Sequence, residues 1–416
     1  MARQRRALTD KHPVVLLAVA LFAIGILASL VSHQEVVAGN VYAFGVALGG
    51  LSRGEAEAAI EQGVRAVENG PLTFVAGARS IQVGGDELRV LLDEDDLLND
   101  LRSYVAERPR LLPSFLLRLG ARRVMAAPAD IVSPDADRVL QKIASALSSP
   151  ALGTRYGFEG RELKVMPPQP GQRVTPQDVR RALQAVEGTA IQVAYEEISA
   201  PPASNLEPLP LIAEFSTPYD PKETDRNVNL SLAALAVHGK VLPPGATYSF
   251  NKEAGERTEA KGYRYANVVV GDHLEPGLAG GICQVTTTLF NAAAMAGLDF
   301  PEVHAHGIPV EYVPPGRDAA VAWDYLDIKI ANRGPSAVVF GCWVENGQVT
   351  VRVYGKGNGH TYELLPVVVK EYPEPGKEPG LLVETYRVEK SGSTEVARTL
   401  LLRSVYLAHV PVPPKR

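Results

Sequence analysis

Gly280-Gly281-Ile282-Cys283-Gln284-Val285-Thr286-Thr287-Thr288-Leu289-Phe290-Asn291 is the stretch on which the reading of this 416-residue chain turns. Two glycines permit a tight backbone turn, and an apolar pattern with helical spacing (Val285, Leu289, Ala292, Ala293) starts directly after them. The cysteine is therefore expected at a helix N-terminus, on a helix packed against a sheet. Unpaired backbone N–H groups and the helix dipole favour a thiolate at that position, and a thiolate is a usable nucleophile. Downstream stand His304 and His306, then Asp318, Asp324 and Asp327, enough to supply a base and a carboxylate that orients it. The same spacing also suits a small buried residue at a loop-to-helix junction, because free cysteine is among the most buried residue types.

Around this segment the pattern predicts a helix over 225–238, ended by Gly239 as a left-handed cap, and a turn at Pro243-Pro244-Gly245. Strands are expected at 248–250, 267–270, 310–313, 319–323, 328–331, 337–344 and 348–354. Cys342 lies in one of them and reads as a packed strand residue, although an oxidising exterior would permit a disulfide with Cys283.

Length implies two to four domains. A hydrophobic content of 46% and a charged content of 21% describe globular material, and a net charge of −5 gives no support for nucleic-acid binding. Residues 1–12 carry Arg3, Arg5, Arg6 and Lys11, and the run 14–31 that follows has no charged side chain. Eighteen residues at 1.5 Å rise span about 27 Å, enough for a hydrocarbon core. The expectation is a single-pass transmembrane anchor over 13–33, with residues 1–12 cytoplasmic and the main body extracytoplasmic at the cell membrane. A signal peptide cleaved near Val36-Val37-Ala38 is the competing reading.

Between anchor and cysteine domain, 40–125 reads as a small α+β module. Ser52 stands three before Glu55 as a capping box, with helices over 52–68 and 95–106. A second, degenerate α+β module is expected over 126–205, closed by the stiff linker Pro201-Pro202-Ala203-Ser204-Asn205. Residues 360–416 read as a short β-rich tail. The fold class expected is α+β multidomain: a transmembrane helix, two modules, a mixed α/β domain with the cysteine helix on its sheet, and the tail.

Ordered blocks over 212–356 resemble the VanW family. They are Phe215-Ser216-Thr217-Pro218-Tyr219, Arg226-Asn227-Val228-Asn229-Leu230, Tyr248-Ser249-Phe250-Asn251, the Gly-Gly-Ile-Cys-Gln segment, and Pro309-Val310-Glu311-Tyr312-Val313-Pro314-Pro315-Gly316-Arg317-Asp318-Ala319. Three positions depart from the family pattern: Ala279 replaces a glycine, Val303 stands near a usual arginine, and Gly307 replaces a serine. The module at 40–125 looks like the peptidoglycan-binding modules that commonly precede VanW domains. Pro379-Gly380-Leu381-Leu382-Val383-Glu384 weakly resembles part of a G5-type glycan-binding module.

The resemblance implies a cysteine L,D-transpeptidase that cross-links peptidoglycan stem peptides, with Cys283 as nucleophile, His306 as base and Asp318 as orienting carboxylate. His304, Gln284, Arg226, Arg317 and Asp327 are further candidates for catalysis or substrate binding, and Gly280 and Gly281 shape the backbone that would hold an oxyanion. Arg226 or Arg317 would suit a substrate carboxylate. Two alternatives stand beside this reading: a non-catalytic peptidoglycan-binding scaffold linked to glycopeptide resistance, and a thiol endopeptidase or amidase of the wall. The expected partners are stem peptides and glycan, the membrane through the N-terminal helix, and no nucleic acid. No metal-ligand spacing or cofactor fingerprint is present in the sequence, so no metal and no cofactor is expected.

Overall fold

The computed structural model describes residues 19–24, 33–109, 120–270 and 273–410. Among the described residues no helix is long and apolar enough to cross a membrane, so the single-pass anchor and the localisation built on it are not supported. Within 13–33 the described helix covers 19–24, about 9 Å of rise. The rest of that run, and the basic flank 1–12, lies outside the described residues.

The chain forms two compact units, Met1–Gly153 with Pro168–Ala203, and Thr154–Pro167 with Ser204–Arg416. In the first unit, the helix Arg53–Asn69 begins with the Ser52/Glu55 capping box that its sequence advertises. The helix Pro176–Ala182 likewise starts on a Thr175/Asp178 box. The two modules expected here do not fold separately. Ala190–Gln192 pairs in parallel with Leu72–Ala76, and Asn40–Ala43 pairs in parallel with Arg122–Met125. Ile60, Phe74, Leu101, Ile143, Val179 and Ile191 share one core. Sheets of two or three short strands are too small to cover a core alone, so the modules complete each other. Residues 154–167 leave this unit as a hairpin, Arg155–Glu159 against Glu162–Met166.

The second unit is built on an antiparallel four-stranded sheet in the order Leu211–Pro218, Gln348–Tyr354, Val338–Glu345, Val241–Leu242. The helix Ile282–Met295 packs on it, with Val285, Leu289 and Phe290 in one core with Phe340, Val351 and Val353. The spacing predicted one apolar face, yet the helix is buried nearly all round. Its polar residues explain how this is tolerated, because each finds a partner. Thr288 Oγ1 donates to the Gln284 carbonyl at 2.7 Å, Asn291 Nδ2 donates to the Arg317 carbonyl at 2.7 Å, and Thr287 Oγ1 accepts the Ala319 N–H at 2.9 Å. The last two of these bonds lash the segment 317–319 across the helix.

Two expected strands are absent. Residues 310–313 form a turn and 319–323 an extended loop with one isolated bridge at Ala322. Pro309, Pro314 and Pro315 remove ladder donors, and the Ala319 N–H is taken by a side chain instead. The tail is a three-stranded antiparallel sheet of Thr361–Tyr372, Gly380–Ser391 and Thr394–Tyr406. It braces the same loop: Thr385 Oγ1 donates to the Gly316 carbonyl at 2.7 Å, and the Leu407 N–H donates to the Gly307 carbonyl at 2.7 Å.

Candidate active site

The turn before the helix depends on Gly280 and Gly281. A Cβ at Gly280 would sit 2.4 Å from the Ala266 carbonyl oxygen, and Gly281 caps the helix at φ 104°. Ala279 also takes a positive φ, 63°. Cys283 is thereby the second residue of the helix. The first N–H groups of a helix have no intrahelical acceptor; those of Ile282 and Gln284 donate to the Ala279 and Gly281 carbonyls at 3.4 and 2.9 Å, and the Cys283 N–H stands between them at the helix mouth. Beside it lies a cavity of about 870 Å³ lined by Cys283, Gln284, His306, Arg226, Arg257 and Trp323, among others.

The Cys283 sulfur lies 3.5 Å from both the Val321 N–H and its carbonyl, so either the thiol or the thiolate finds a partner. His306 hydrogen-bonds the sulfur and supplies positive charge beside it. Burial pushes the Cys283 thiol up, but this bond and charge outweigh burial and hold it below its ordinary value. Asp318 holds the imidazole from the other side. Its Oδ2 accepts from the His306 backbone N–H at 2.8 Å and from Nδ1 at 2.7 Å, which leaves Nε2 for the sulfur. Burial pushes the His306 imidazolium down, yet Asp318 and the Cys283 thiolate together raise it to about 10. Asp318 is fully buried, and the bonds from His306 keep it ionised below the ordinary carboxylate range despite that burial. The Tyr406 hydroxyl, arriving from the last tail strand, donates to Asp318 Oδ1. Burial and the neighbouring carboxylate push the phenol up, so it remains a donor.

Of the remaining sequence candidates, Gln284 and Arg226 reach the cavity. Gln284 Nε2 donates to Thr217 Oγ1 at 3.0 Å and to the Pro218 carbonyl at 2.7 Å, while its Oε1 has no partner among the described residues. Arg226 lies against Glu223 at 3.7 Å. The others are not brought to the sulfur. His304 Nε2 pairs with Glu302 at 3.1 Å, outside the cavity lining. The Glu302 carboxyl is lowered to about 2, first by Lys329, and so stays available to hold that imidazole. Arg317 Nε donates to Asn291 at 2.7 Å and its guanidinium stacks on Phe215. Asp327 accepts from Ser249 Oγ at 2.5 Å and from the Asn251 N–H at 2.9 Å, a cap for the short helix Phe250–Ala254. Cys342 is free and buried in its strand, and burial pushes its thiol up to about 12.

Residues 225–354 match the family model described as VanW like protein. This part of the chain is a VanW-like domain. The chain is also similar to the uncharacterized protein YoaR of Bacillus subtilis (strain 168), at 37% identity over 143 residues, 34% of this chain and 47% of that protein. The match thus spans about half the length of that relative. No solved structure matches the chain. Similarity to the VanW family suggests a cell-wall-related protein. Cys283, His306 and Asp318 all lie inside the VanW-like domain, whereas Tyr406 lies beyond it. Sequence reasoning missed Tyr406 and Arg257. Neither carries a motif, and Tyr406 is separated from Asp318 by 88 positions.

Proposed function

We propose that the VanW-like domain is a cysteine acyltransferase acting on peptidoglycan stem peptides, an L,D-transpeptidase in its reaction. The observation that carries this reading is the relay of Cys283, His306 and Asp318 at the mouth of a helix, open to a peptide-sized cavity. The Cys283 thiolate attacks the carbonyl carbon of a stem-peptide amide, and the C–S bond forms as the carbonyl electrons move to oxygen. The Cys283 N–H, in the first turn of the helix, is suited to hold the oxyanion. Its collapse breaks the C–N bond while His306 Nε2 gives its proton to the departing amine, leaving a thioester and a neutral imidazole. An acceptor amine from a neighbouring stem then attacks the thioester, His306 takes its proton, and the thiolate leaves. Asp318 stays ionised throughout and holds Nδ1–H, as in other nucleophile–His–carboxylate relays.

Incubating the full chain and its Cys283→Ala variant with muropeptides, read by mass spectrometry, tests this. The wild type is expected to join two stems with loss of one residue, and the variant to do nothing. Cleavage without joining would make the protein a hydrolase. Identical mixtures from both would leave a binding role.

A further inference from the structure

Arg257 takes no step in the chemistry above, although its charge also favours the Cys283 thiolate, and it lines the same cavity. Only 8% of it is exposed. Its Nη2 donates to Asn251 Oδ1 at 2.7 Å, and its guanidinium lies against the rings of Phe250 and Trp323 at 5.3 and 5.7 Å. Nε and Nη1 have no hydrogen-bond partner among the described residues. Among the described residues no carboxylate comes within ion-pair distance of it, and burying a charge without a hydrogen-bonded ion partner costs several kcal/mol. Burial accordingly pushes its guanidinium down from the ordinary value. Such a group is held ready for an anion that arrives with the ligand, and planar N–H donors match a carboxylate.

We propose that Arg257 is the carboxylate subsite of the cavity, binding a free carboxylate on the peptide whose carbonyl Cys283 attacks. For its substrate this rests on the acyltransfer reading; for its chemistry it does not. The two aromatic rings packed against the guanidinium limit its contact with water, so the subsite selects for negative charge at one place on the ligand. Arg226 already lies against Glu223, and Arg317 is spent on Asn291 and lies outside the cavity lining, so Arg257 replaces both as the reader of that group.

The test compares two alkylating agents that differ only in a carboxylate, iodoacetate and iodoacetamide, on Cys283 of the full chain. The wild type is expected to favour iodoacetate more than free cysteine does. In Arg257→Gln the iodoacetate-to-iodoacetamide rate ratio is expected to fall about 10- to 100-fold, the worth of a charge-assisted hydrogen bond, with Arg257→Lys between the two. A wild-type ratio no higher than that of free cysteine, or a ratio unmoved in both variants, overturns the proposal. Should Arg257→Gln fail to fold, protection of wild-type Cys283 from iodoacetamide decides: N-acetyl-D-alanine should protect and its amide should not, and equal protection by both overturns the subsite. A peptide arm separates this from the acyltransfer reading. Turnover of peptides equally well as free acid and as amide removes the subsite and leaves acyl transfer standing. No turnover, with the iodoacetate preference present and lost in Arg257→Gln, removes acyl transfer and leaves the subsite.

Discussion

Asp318→Asn changes one oxygen of a fully buried carboxylate to an amide nitrogen at the point where it meets His306. The amide keeps the shape and can still accept from Nδ1–H, so the change isolates the charge. A hydrogen bond to an ionised group is worth about 1.5–3 kcal/mol and a neutral one about 0.5–1.5, a difference of about 1–1.5 kcal/mol or about one pKa unit. His306 should therefore fall from about 10 by about one unit, and its hold on the thiolate weakens with it. In the wild type the ion pair forms as pH rises through the lowered pKa of Cys283, and it ends when His306 loses its proton near 10. The acid limb of Cys283 alkylation by iodoacetamide should move to higher pH in Asp318→Asn, and the alkaline fall in turnover, set by loss of the His306 proton, should move lower. Turnover should fall about 10- to 100-fold at neutral pH. Peptide mapping separates the two thiols, and Cys342, pushed up to about 12, serves as the unreactive internal control. Superimposable pH profiles for wild type and variant would refute the idea that Asp318 sets the charge of His306.

The other expectations follow from the same geometry. His306→Ala should abolish turnover, whereas His304→Ala should leave most of it, because His304 is held by Glu302 outside the cavity lining; the reverse pattern in a rate assay would reassign the base. Tyr406→Phe removes one donor from the buried Asp318 and should cost about 1–3 kcal/mol in urea unfolding, together with a fall of about tenfold in turnover; an unchanged midpoint would detach the tail from the site. Ala279→Gly relieves a left-handed backbone at φ 63° and should stabilise the fold by about 1 kcal/mol, with a lower midpoint counting against strain at that turn.

How far the sequence carried this account differs from element to element. The glycine turn and the cysteine helix were legible because both signals are local: a special backbone conformation followed by a 3.6-residue period. His306 and Asp318 lay within reach too, being 12 positions apart in one segment. The first unit was misread as two modules because its unifying contacts are parallel pairings between distant strands, such as Thr73 with Ala190, and these leave no local trace. Residues 310–313 alternate and 319–323 form an apolar run, both as strands do, but prolines and the Thr287 hydroxyl send their backbone bonds elsewhere. Arg257 and Tyr406 were invisible for another reason. A lone arginine and a tail tyrosine become informative only when burial and partners are known, the first by the N–H groups it leaves unpaired, the second by its bond to Asp318.

The central claim is that Cys283 carries the acyl group, and intact-protein mass spectrometry after brief mixing with a muropeptide donor, without an acceptor, tests it most directly. The account predicts a mass increase equal to the donor less its leaving group, mapped to Cys283, removed by hydroxylamine and absent from Cys283→Ala. A wild-type mass unchanged while donor is consumed, or the same adduct on the Cys283→Ala chain, would contradict it.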